Sequence, residues 1–218
     1  FYERKEIKDM VSYLSVINNP SDTLRLQRII NEPKRRIGES TIALVMQIAA
    51  QEQKNVFDVL ENASAYPALQ RKAKDLESFA AMMRSMMQQA KEGPLDELLD
   101  RLLEESGYLR MLEEEGFAGQ TRLENINELK SSMQRYEQGN EEGGLTGFLE
   151  EISLYTDIDR YEPDEDCVVM MTMHSAKGLE FDHVFIAGAE ENIFPGMRAM
   201  MDPSQIEEER RLAYVSLT

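Results

Sequence analysis

Apolar residues at helical spacing predict that the chain opens with two short helices. The first runs from Glu3 to Ile17, because apolar side chains recur there three or four positions apart and would share one helix face. Asn18–Pro20 ends this helix. Ser21 or Asp22 can cap a second helix that continues to Ile30, since short polar side chains satisfy the free amide groups at a helix start.

The middle of the chain, residues 40–153, reads as nearly continuous helix that begins with a cap near Ser40. Breaks at Gly93-Pro94, Gly107, Gly116 and residues 139–144 divide it into a bundle of six or seven helices. One apolar stripe in this region consists of Leu69, Ala73, Leu76, Phe79, Ala80, Met83 and Met86. We interpret the stripe, with its methionines, as core rather than as a binding groove.

The last part of the chain has a different pattern. An acidic connector with few apolar residues, 157–166, leads to Val168–Met171, and Val184–Ala187 follows further on. Both runs are apolar on both faces, which is typical of strands covered on both sides in a parallel sheet. The polar loop between them starts where a strand ends, a usual place for a binding site in an α/β sheet. Its candidate functional residues are Thr172, His174, Lys177, Gly178 and Glu180.

This polar loop resembles a helicase motif. The order T-x-H-x-A-K-G-L-E-F-x-x-V-F, at residues 172–185, is similar to motif V of the UvrD/PcrA/Rep family of superfamily 1 DNA helicases. FYERKEIKDMVSYLSVINNP, at the amino end, resembles the stretch after motif IV, and EEERRLAYVSLT, at the carboxyl end, resembles the start of motif VI. E-E-x-I-F-P, at residues 190–195, lies between the last two. On these ordered matches, the chain is identified as a member of the family.

The resemblance implies an α/β fold with an all-α insertion that makes the chain mainly helical. In the family, the second RecA-like motor domain, of the P-loop NTPase type, is interrupted by a mobile helical subdomain. Residues 1–38 and 164–218 would then belong to the motor domain, and residues 39–163 would form the insert. The motor domain would be truncated, because motif VI of the family continues past Thr218 to an arginine that reaches the γ-phosphate.

A nucleotide site in the polar loop is also implied by the resemblance. In the family, the glutamate of motif V, here Glu180, accepts a hydrogen bond from the ribose of bound ATP. Gly178 forms the turn before it, and Lys177 lies either near the nucleotide or in solvent. ATP with Mg²⁺ would serve the full-length protein, but no G-x-x-x-x-G-K-[ST] loop occurs in the sequence. We therefore expect the chain alone to be inactive in ATP hydrolysis and to hold no catalytic residue.

Two segments are candidates for DNA contact. Thr172 and His174 occupy the part of motif V that contacts single-stranded DNA in the family. The sequence KRRIGEST, at residues 34–41, places basic residues before a helix whose free amide groups could bind a phosphate. Related helicases use Gly-Ile-Gly turns against duplex DNA, whereas Arg36 stands here in place of the first glycine. The candidate duplex contacts are Lys34, Arg36, Gly38 and Thr41, and an exposed basic turn without function is the alternative.

Net charge opposes DNA binding but does not exclude it. The 218 residues carry a formal charge of −17, and binding to phosphates is driven largely by Lys and Arg. Residues 1–38 have 8 Lys or Arg against 5 Asp or Glu, residues 39–163 have 12 against 25, and residues 164–218 have 4 against 11. The deficit lies mostly in the middle, and a motor needs only a local groove of positive potential.

The rest of the composition excludes several kinds of protein. A single cysteine, Cys167, cannot form an internal disulfide and fits a cytoplasmic location. Two histidines and one cysteine are too few for a zinc cluster, so no metal ligand is assigned. No apolar run approaches the roughly 20 residues that span a bilayer, and we expect no membrane association.

The interpretation that uses most of these features is a fragment of a 3′ to 5′ DNA helicase. The helicase would translocate on single-stranded DNA and unwind duplex in repair or replication, so its partners would be single-stranded DNA and the duplex junction. One alternative is a subunit of a recombination helicase-nuclease. Another is a non-catalytic module whose acidic insert docks a repair or transcription protein, which the charge of the insert favours.

Overall fold

The computed structural model describes residues 1–140, 143–159, 168, 170, 171, 173, 176, 181–190, 193–195 and 203–217. The chain forms two compact units, Phe1–Leu149 and Glu150–Thr218, and each is described by itself. The domain division at residues 38 and 163 stays a prediction. Among the described residues, no helix combines the length and the apolar character that a membrane span requires.

The described part of the chain is mostly helical. Its α-helices are α1 (Lys5–Asn18), α2 (Thr23–Ile29), α3 (Glu39–Glu52), α4 (Val56–Glu61), α5 (Ala73–Gln89), α6 (Leu95–Glu105), α7 (Tyr108–Glu114), α8 (Phe117–Gly139), α9 (Gly144–Asp159) and α10 (Pro203–Leu217). Two short 3₁₀ helices, Ala63–Ala65 and Pro67–Leu69, join α4 to α5. Among the described residues, the seven helices α3 to α9 agree in number with the six or seven predicted for this part of the chain.

Helix α1 lies at the centre of the first unit. It packs against α2, α5 and α8, and ten of its fourteen residues are buried. Two of the buried residues are acidic. The Asp9 carboxylate accepts a hydrogen bond from Arg28 Nε at 2.7 Å and from the Tyr108 hydroxyl at 2.8 Å. Glu6 accepts one from Asn125 Nδ2 at 2.6 Å. Because a buried carboxylate is costly unless it is bonded, these contacts fix α1 against α2, α7 and α8.

Several predicted helix starts and the predicted core stripe are confirmed. Asp22 caps α2, because its Oδ1 accepts a hydrogen bond from the amide of Arg25 at 3.0 Å. Gly107 and Gly116 precede α7 and α8 with φ angles of 77° and 63°, a left-handed region that glycine adopts readily. Pro94 precedes α6 as predicted. Every member of the stripe from Leu69 to Met86 is buried.

One predicted cap and one predicted helix end differ from the structure. Helix α3 begins at Glu39, which confirms the predicted start near Ser40, but its N-cap residue is Gly38 and no side chain caps it, so the predicted cap is wrong. Helix α9 continues through Asp159 and takes in the start of the predicted acidic connector. A shortage of apolar residues predicts low burial rather than an end of helix, because Asp and Glu remain compatible with a helical backbone.

The predicted strands are not formed by the residues that the structure describes. Val184–Ala187 and the described residues of the run at 168–171 lie outside regular structure. Val184 and Phe185 are 57% and 95% exposed. An apolar run becomes a buried strand only when neighbouring strands bond its backbone and helices cover both faces. The described residues supply no such neighbours, so the strand prediction is wrong for them, and the RecA-like α/β fold of the motor domain stays a prediction.

The carboxyl-terminal stretch that resembles motif VI forms helix α10. Arg210 and Glu207 form an ion pair of 2.7 Å one turn apart on its surface, and Leu212 is buried. In the preceding segment, the Glu190 carbonyl accepts hydrogen bonds from the amides of Ile193 and Phe194 and so closes a turn.

The close approach of α7 and α8 at Gly119 gives a test of the fold. A Cβ atom at this position would lie 1.8 Å from the carbonyl oxygen of Leu112. We therefore expect Gly119→Ala to lower the free energy of unfolding in urea by roughly 1 to 3 kcal/mol. Gly139→Ala, at the end of the same helix, is the control, since its Cβ would meet no atom within 4 Å. Equal stability of the two variants would show that α7 and α8 do not depend on this approach.

Candidate nucleic-acid interface

The predicted duplex-contact segment, residues 34–41, includes the turn between α2 and α3. Asn31 organises this turn, because its Oδ1 accepts hydrogen bonds from the amide of Arg35 at 2.8 Å and from that of Ile37 at 3.2 Å. The side chain of Ile37 is fully buried and anchors the far end of the turn in the core. The backbone between α2 and α3 is therefore fixed from within the protein.

The three consecutive basic residues of this turn have different surroundings. Arg35 is directed inward, where its Nη1 donates hydrogen bonds to the carbonyl oxygens of Ile29 at 3.0 Å and Pro33 at 3.2 Å. Its Nη2 donates to the Ser106 carbonyl at 2.9 Å and to the Tyr13 hydroxyl at 2.7 Å. The carbonyls of Ile29 and Ser106 lie at the ends of α2 and α6, where helix dipoles place partial negative charge. Arg35 therefore joins α1, α2 and α6 and is a structural residue.

Aromatic side chains complete the surroundings of Arg35. Its guanidinium carbon lies 5.2 Å from the centre of the Phe79 ring and 5.9 Å from that of Tyr13, both within the range of a cation–π contact. The Tyr13 hydroxyl donates a hydrogen bond to the Glu32 carbonyl at 2.7 Å. Burial raises the pKa of Tyr13 to about 12, although the Arg35 guanidinium opposes this rise. Tyr13 therefore stays protonated at neutral pH and can donate while it accepts from Arg35.

Arg36 holds an unfavourable backbone conformation. Its φ angle is 62°, in the left-handed region that costs most residues roughly 1 to 2 kcal/mol and glycine almost nothing. A glycine at this position would adopt the same conformation without that cost. Asn31 binds the amides on both sides of Arg36, so the surrounding structure imposes the conformation.

Lys34 and Arg36 are exposed, and their side chains form no hydrogen bond or ion pair with the residues that the structure describes. In this respect Lys34 and Arg36 differ from the neighbouring cations, which form ion pairs. Lys5 binds Glu32 at 2.9 Å, Arg25 binds Asp22 at 2.8 Å and Arg28 binds Asp9 at 2.7 Å. Within the described part of the chain, the turn therefore presents two positive charges that no carboxylate neutralises.

The start of α3 offers less to an anion than the cations do. Gly38 leaves the first amides of the helix without a side-chain cap, as an anion-binding terminus requires. However, Glu39 places a carboxylate in the first turn of α3, where it already offsets the positive end of the helix dipole. Thr41 is half-buried, and its amide donates to the Gly38 carbonyl at 2.9 Å. Gly38 and Thr41 thus follow the two cations in the chain, and the positive charge of the turn comes from Lys34 and Arg36.

The predicted residues of the polar loop, namely Thr172, His174, Lys177, Gly178 and Glu180, lie outside the described residues, as does Cys167. Their roles rest on the sequence motif alone. Within the described part of the chain, no group of three or more His, Cys, Asp or Glu side chains is placed to hold a metal ion.

A groove of about 740 Å³ between α4, α5 and α6 was not predicted. Its two arginines are held by neighbouring side chains, Arg84 by both oxygens of Glu61 at 2.8 and 2.7 Å and Arg101 by Glu105 at 2.5 Å. None of the predicted site residues is among those that line the groove. Because its arginines are paired, the groove has less unpaired positive charge than the turn before α3.

Sequence reasoning also missed the role of Asn31. A signal existed, because asparagine side chains commonly accept hydrogen bonds from backbone amides in turns, and a proline stands two residues later. The inward orientation of Arg35 had no comparable local signal, since its partner Ser106 lies 71 residues further along the chain.

Comparison with known proteins gives consistent matches over the whole chain. The family model described as the UvrD-like helicase C-terminal domain matches residues 1–218. The chain is 42% identical, over an alignment of 223 residues, to the ATP-dependent DNA helicase PcrA of Staphylococcus aureus strain NCTC 8325. It has the same identity to the protein of that name from Staphylococcus epidermidis strain ATCC 12228. Each alignment covers 100% of this chain and 30% of the relative, so the chain spans about a third of the length of these relatives.

Substitution of Arg35 tests its structural role. Arg35→Lys keeps the charge but cannot reach all the carbonyls and the hydroxyl that the guanidinium binds, so buried acceptors lose their partners. We expect the free energy of unfolding, measured in urea, to fall by roughly 2 to 4 kcal/mol. Arg110→Lys, at an exposed ion pair with Glu114, is the matched control and should change stability little. Similar stability of the two variants would contradict the role of Arg35 as the joint between helices.

Substitution of Arg36 tests its backbone strain. Glycine adopts a positive φ without steric cost, so we expect Arg36→Gly to raise the free energy of unfolding by roughly 0.5 to 1 kcal/mol, after allowance for the greater freedom of glycine in the unfolded chain. Arg36→Ala removes the same charge but keeps the strain, and it should give no gain. A gain of equal size in both variants, measured by urea denaturation, would assign the effect to charge repulsion within the basic turn.

Proposed function

The chain belongs to the family of UvrD-like helicase C-terminal domains, and from this membership we propose that it forms part of an ATP-dependent DNA helicase. The match of the family model to all 218 residues carries the proposal. The identity of 42% to proteins named ATP-dependent DNA helicase PcrA supports it further. The complete protein would translocate on single-stranded DNA in the 3′ to 5′ direction and unwind duplex DNA in repair or replication.

The contribution of this chain to ATP chemistry is limited. No G-x-x-x-x-G-K-[ST] loop occurs in its sequence, so it lacks the usual cradle for the phosphates and the usual hydroxyl ligand of Mg²⁺. We infer that the chain by itself does not hydrolyse ATP. It would bind the nucleotide in the complete protein through the motif V loop, where Glu180 accepts a hydrogen bond from the ribose and Gly178 and Lys177 form the adjoining turn. ATP hydrolysis supplies the free energy for translocation.

Duplex DNA is the proposed ligand of the turn before α3. Lys34 and Arg36 are exposed cations without partners among the described residues, and the turn that carries them is fixed by Asn31 and by the buried Ile37. Fixed cations bind phosphate at a lower entropic cost than mobile ones, because their backbone is already ordered. Gly38 and Thr41 would approach the same phosphates from the start of α3.

Local charge explains how a chain of charge −17 could bind DNA at this turn. Beyond a distance of about 10 Å, charges are screened at physiological salt, so the acidic residues elsewhere act weakly here. Ion pairs neutralise the cations on α1 and α2, while Lys34 and Arg36 retain their charge. Single-stranded DNA would be bound elsewhere, by Thr172 and His174 of motif V, and this assignment rests on the motif.

ATP turnover by the natural full-length protein tests the proposed function. Wild-type protein should hydrolyse ATP faster when single-stranded DNA is added. Glu180→Ala removes one charge-assisted hydrogen bond to the nucleotide, so we expect the KM for ATP to rise about ten-fold or more. Glu113→Ala is the matched control, because the exposed side chain of Glu113 in α7 has no partner among the described residues, and the KM of this variant should be unchanged.

Two results would count against this proposal. Absence of DNA-stimulated turnover in the wild-type protein would remove the helicase assignment and favour a non-catalytic role. Turnover with an unchanged KM in Glu180→Ala would keep the helicase assignment but remove Glu180 from the nucleotide site.

A further inference from the structure

The hydrogen bonds of Asn31 bracket a single residue. Its Oδ1 binds the amides of Arg35 and Ile37, which are the two neighbours of Arg36. Arg36 has a φ of 62°, which an arginine seldom adopts without such constraint. Asn31 therefore stabilises the backbone conformation of the one residue in the turn that is strained.

The bracket also determines which side chains face outward. The backbone amide of Arg35 donates a hydrogen bond to Asn31, and the guanidinium of Arg35 donates to buried acceptors. The orientation of this side chain is therefore fixed at both ends. Its neighbours Lys34 and Arg36 are left exposed, with no partner among the described residues. If the backbone of Arg36 relaxed to a negative φ, the side chain at 36 would point in another direction, because φ sets the position of Cβ relative to the turn.

We propose that Asn31 is a positioning residue for duplex DNA. It touches no phosphate itself, and it holds the turn so that Lys34 and Arg36 bind the phosphate backbone at the same time. The proposal rests on the proposed function, since it takes duplex DNA as the ligand of this turn. The proposal adds Asn31, an uncharged residue outside the motif, to the residues that support duplex binding. It also explains the strained backbone of Arg36 as the conformation that directs this side chain toward the phosphates.

The salt dependence of DNA binding tests the proposal in the natural full-length protein. The probe is a duplex with a single-stranded tail, with binding measured by fluorescence anisotropy at several salt concentrations. Each phosphate contact contributes about 0.9 to the slope of log affinity against log salt. The double variant Lys34→Ala with Arg36→Ala should reduce this slope by about 2. Asn31→Ala, which keeps both cations, should reduce it by between about 1 and 2.

Two comparisons separate positioning from a general structural effect. Asn55→Ala is the matched control, since Asn55 also accepts a hydrogen bond from a backbone amide, that of Phe57 at 2.8 Å, but lies at the start of α4. It should lower the melting temperature as Asn31→Ala does and leave the slope unchanged. Binding to single-stranded DNA without a duplex should be the same in all of these variants.

A double-mutant cycle completes the test. Added to the variant that lacks both cations, Asn31→Ala should cause no further loss of affinity, because no charge remains to be positioned.

If Asn31→Ala does not fold, Asn31→Ser replaces it, since the shorter hydroxyl cannot reach both amides. A full additional loss in the cycle, or an unchanged slope in a folded Asn31 variant, would overturn the positioning role. A wild-type slope in the variant without cations would overturn both this proposal and the duplex site, whereas ATP turnover would still test the helicase assignment separately.

Discussion

The first unit depends on the way in which the positive charge of Arg35 is balanced. No carboxylate binds this guanidinium among the described residues. The carbonyls at the ends of α2 and α6, the Tyr13 hydroxyl and the Phe79 ring surround it instead. Helix ends carry carbonyls that need donors, and a planar guanidinium with five N–H groups can serve several at once. One side chain thereby satisfies two helix ends and fixes both to α1, which places the turn before α3.

That arrangement links the stability of the first unit to the proposed binding of DNA. Because Arg35 is committed to the interior, its two neighbours are exposed, and the pairing of nearby cations with carboxylates leaves Lys34 and Arg36 as the local positive charge. Asn31 holds the intervening backbone in a strained form that the fold supports from both sides. An acidic protein can in this way present a small basic site, because what matters to a phosphate is the unpaired charge within a few ångströms rather than the total.

Features that depend on neighbouring residues were predictable from the sequence. Helix ends at Asp22, Gly107 and Gly116, and the buried stripe of α5, follow from capping, from positive φ and from helical periodicity. Features that depend on distant residues were not. The interior position of Arg35 requires Ser106 to meet it, and a strand at Val184–Ala187 requires partners that the described residues do not supply. The candidate cations Lys34 and Arg36 were found because they form a basic cluster before a predicted helix, while Asn31 was missed although an asparagine two residues before a proline is a common signal of a turn.

The three adjacent basic residues of this turn are therefore under different structural constraints. At position 34 any cation preserves the charge. At position 36 a cation preserves the charge, whereas a residue such as glycine preserves the left-handed backbone conformation. At position 35 the geometry admits arginine alone, since no other side chain reaches the same acceptors. The fold therefore determines the middle position through many contacts, while it constrains the outer two only through charge and backbone conformation.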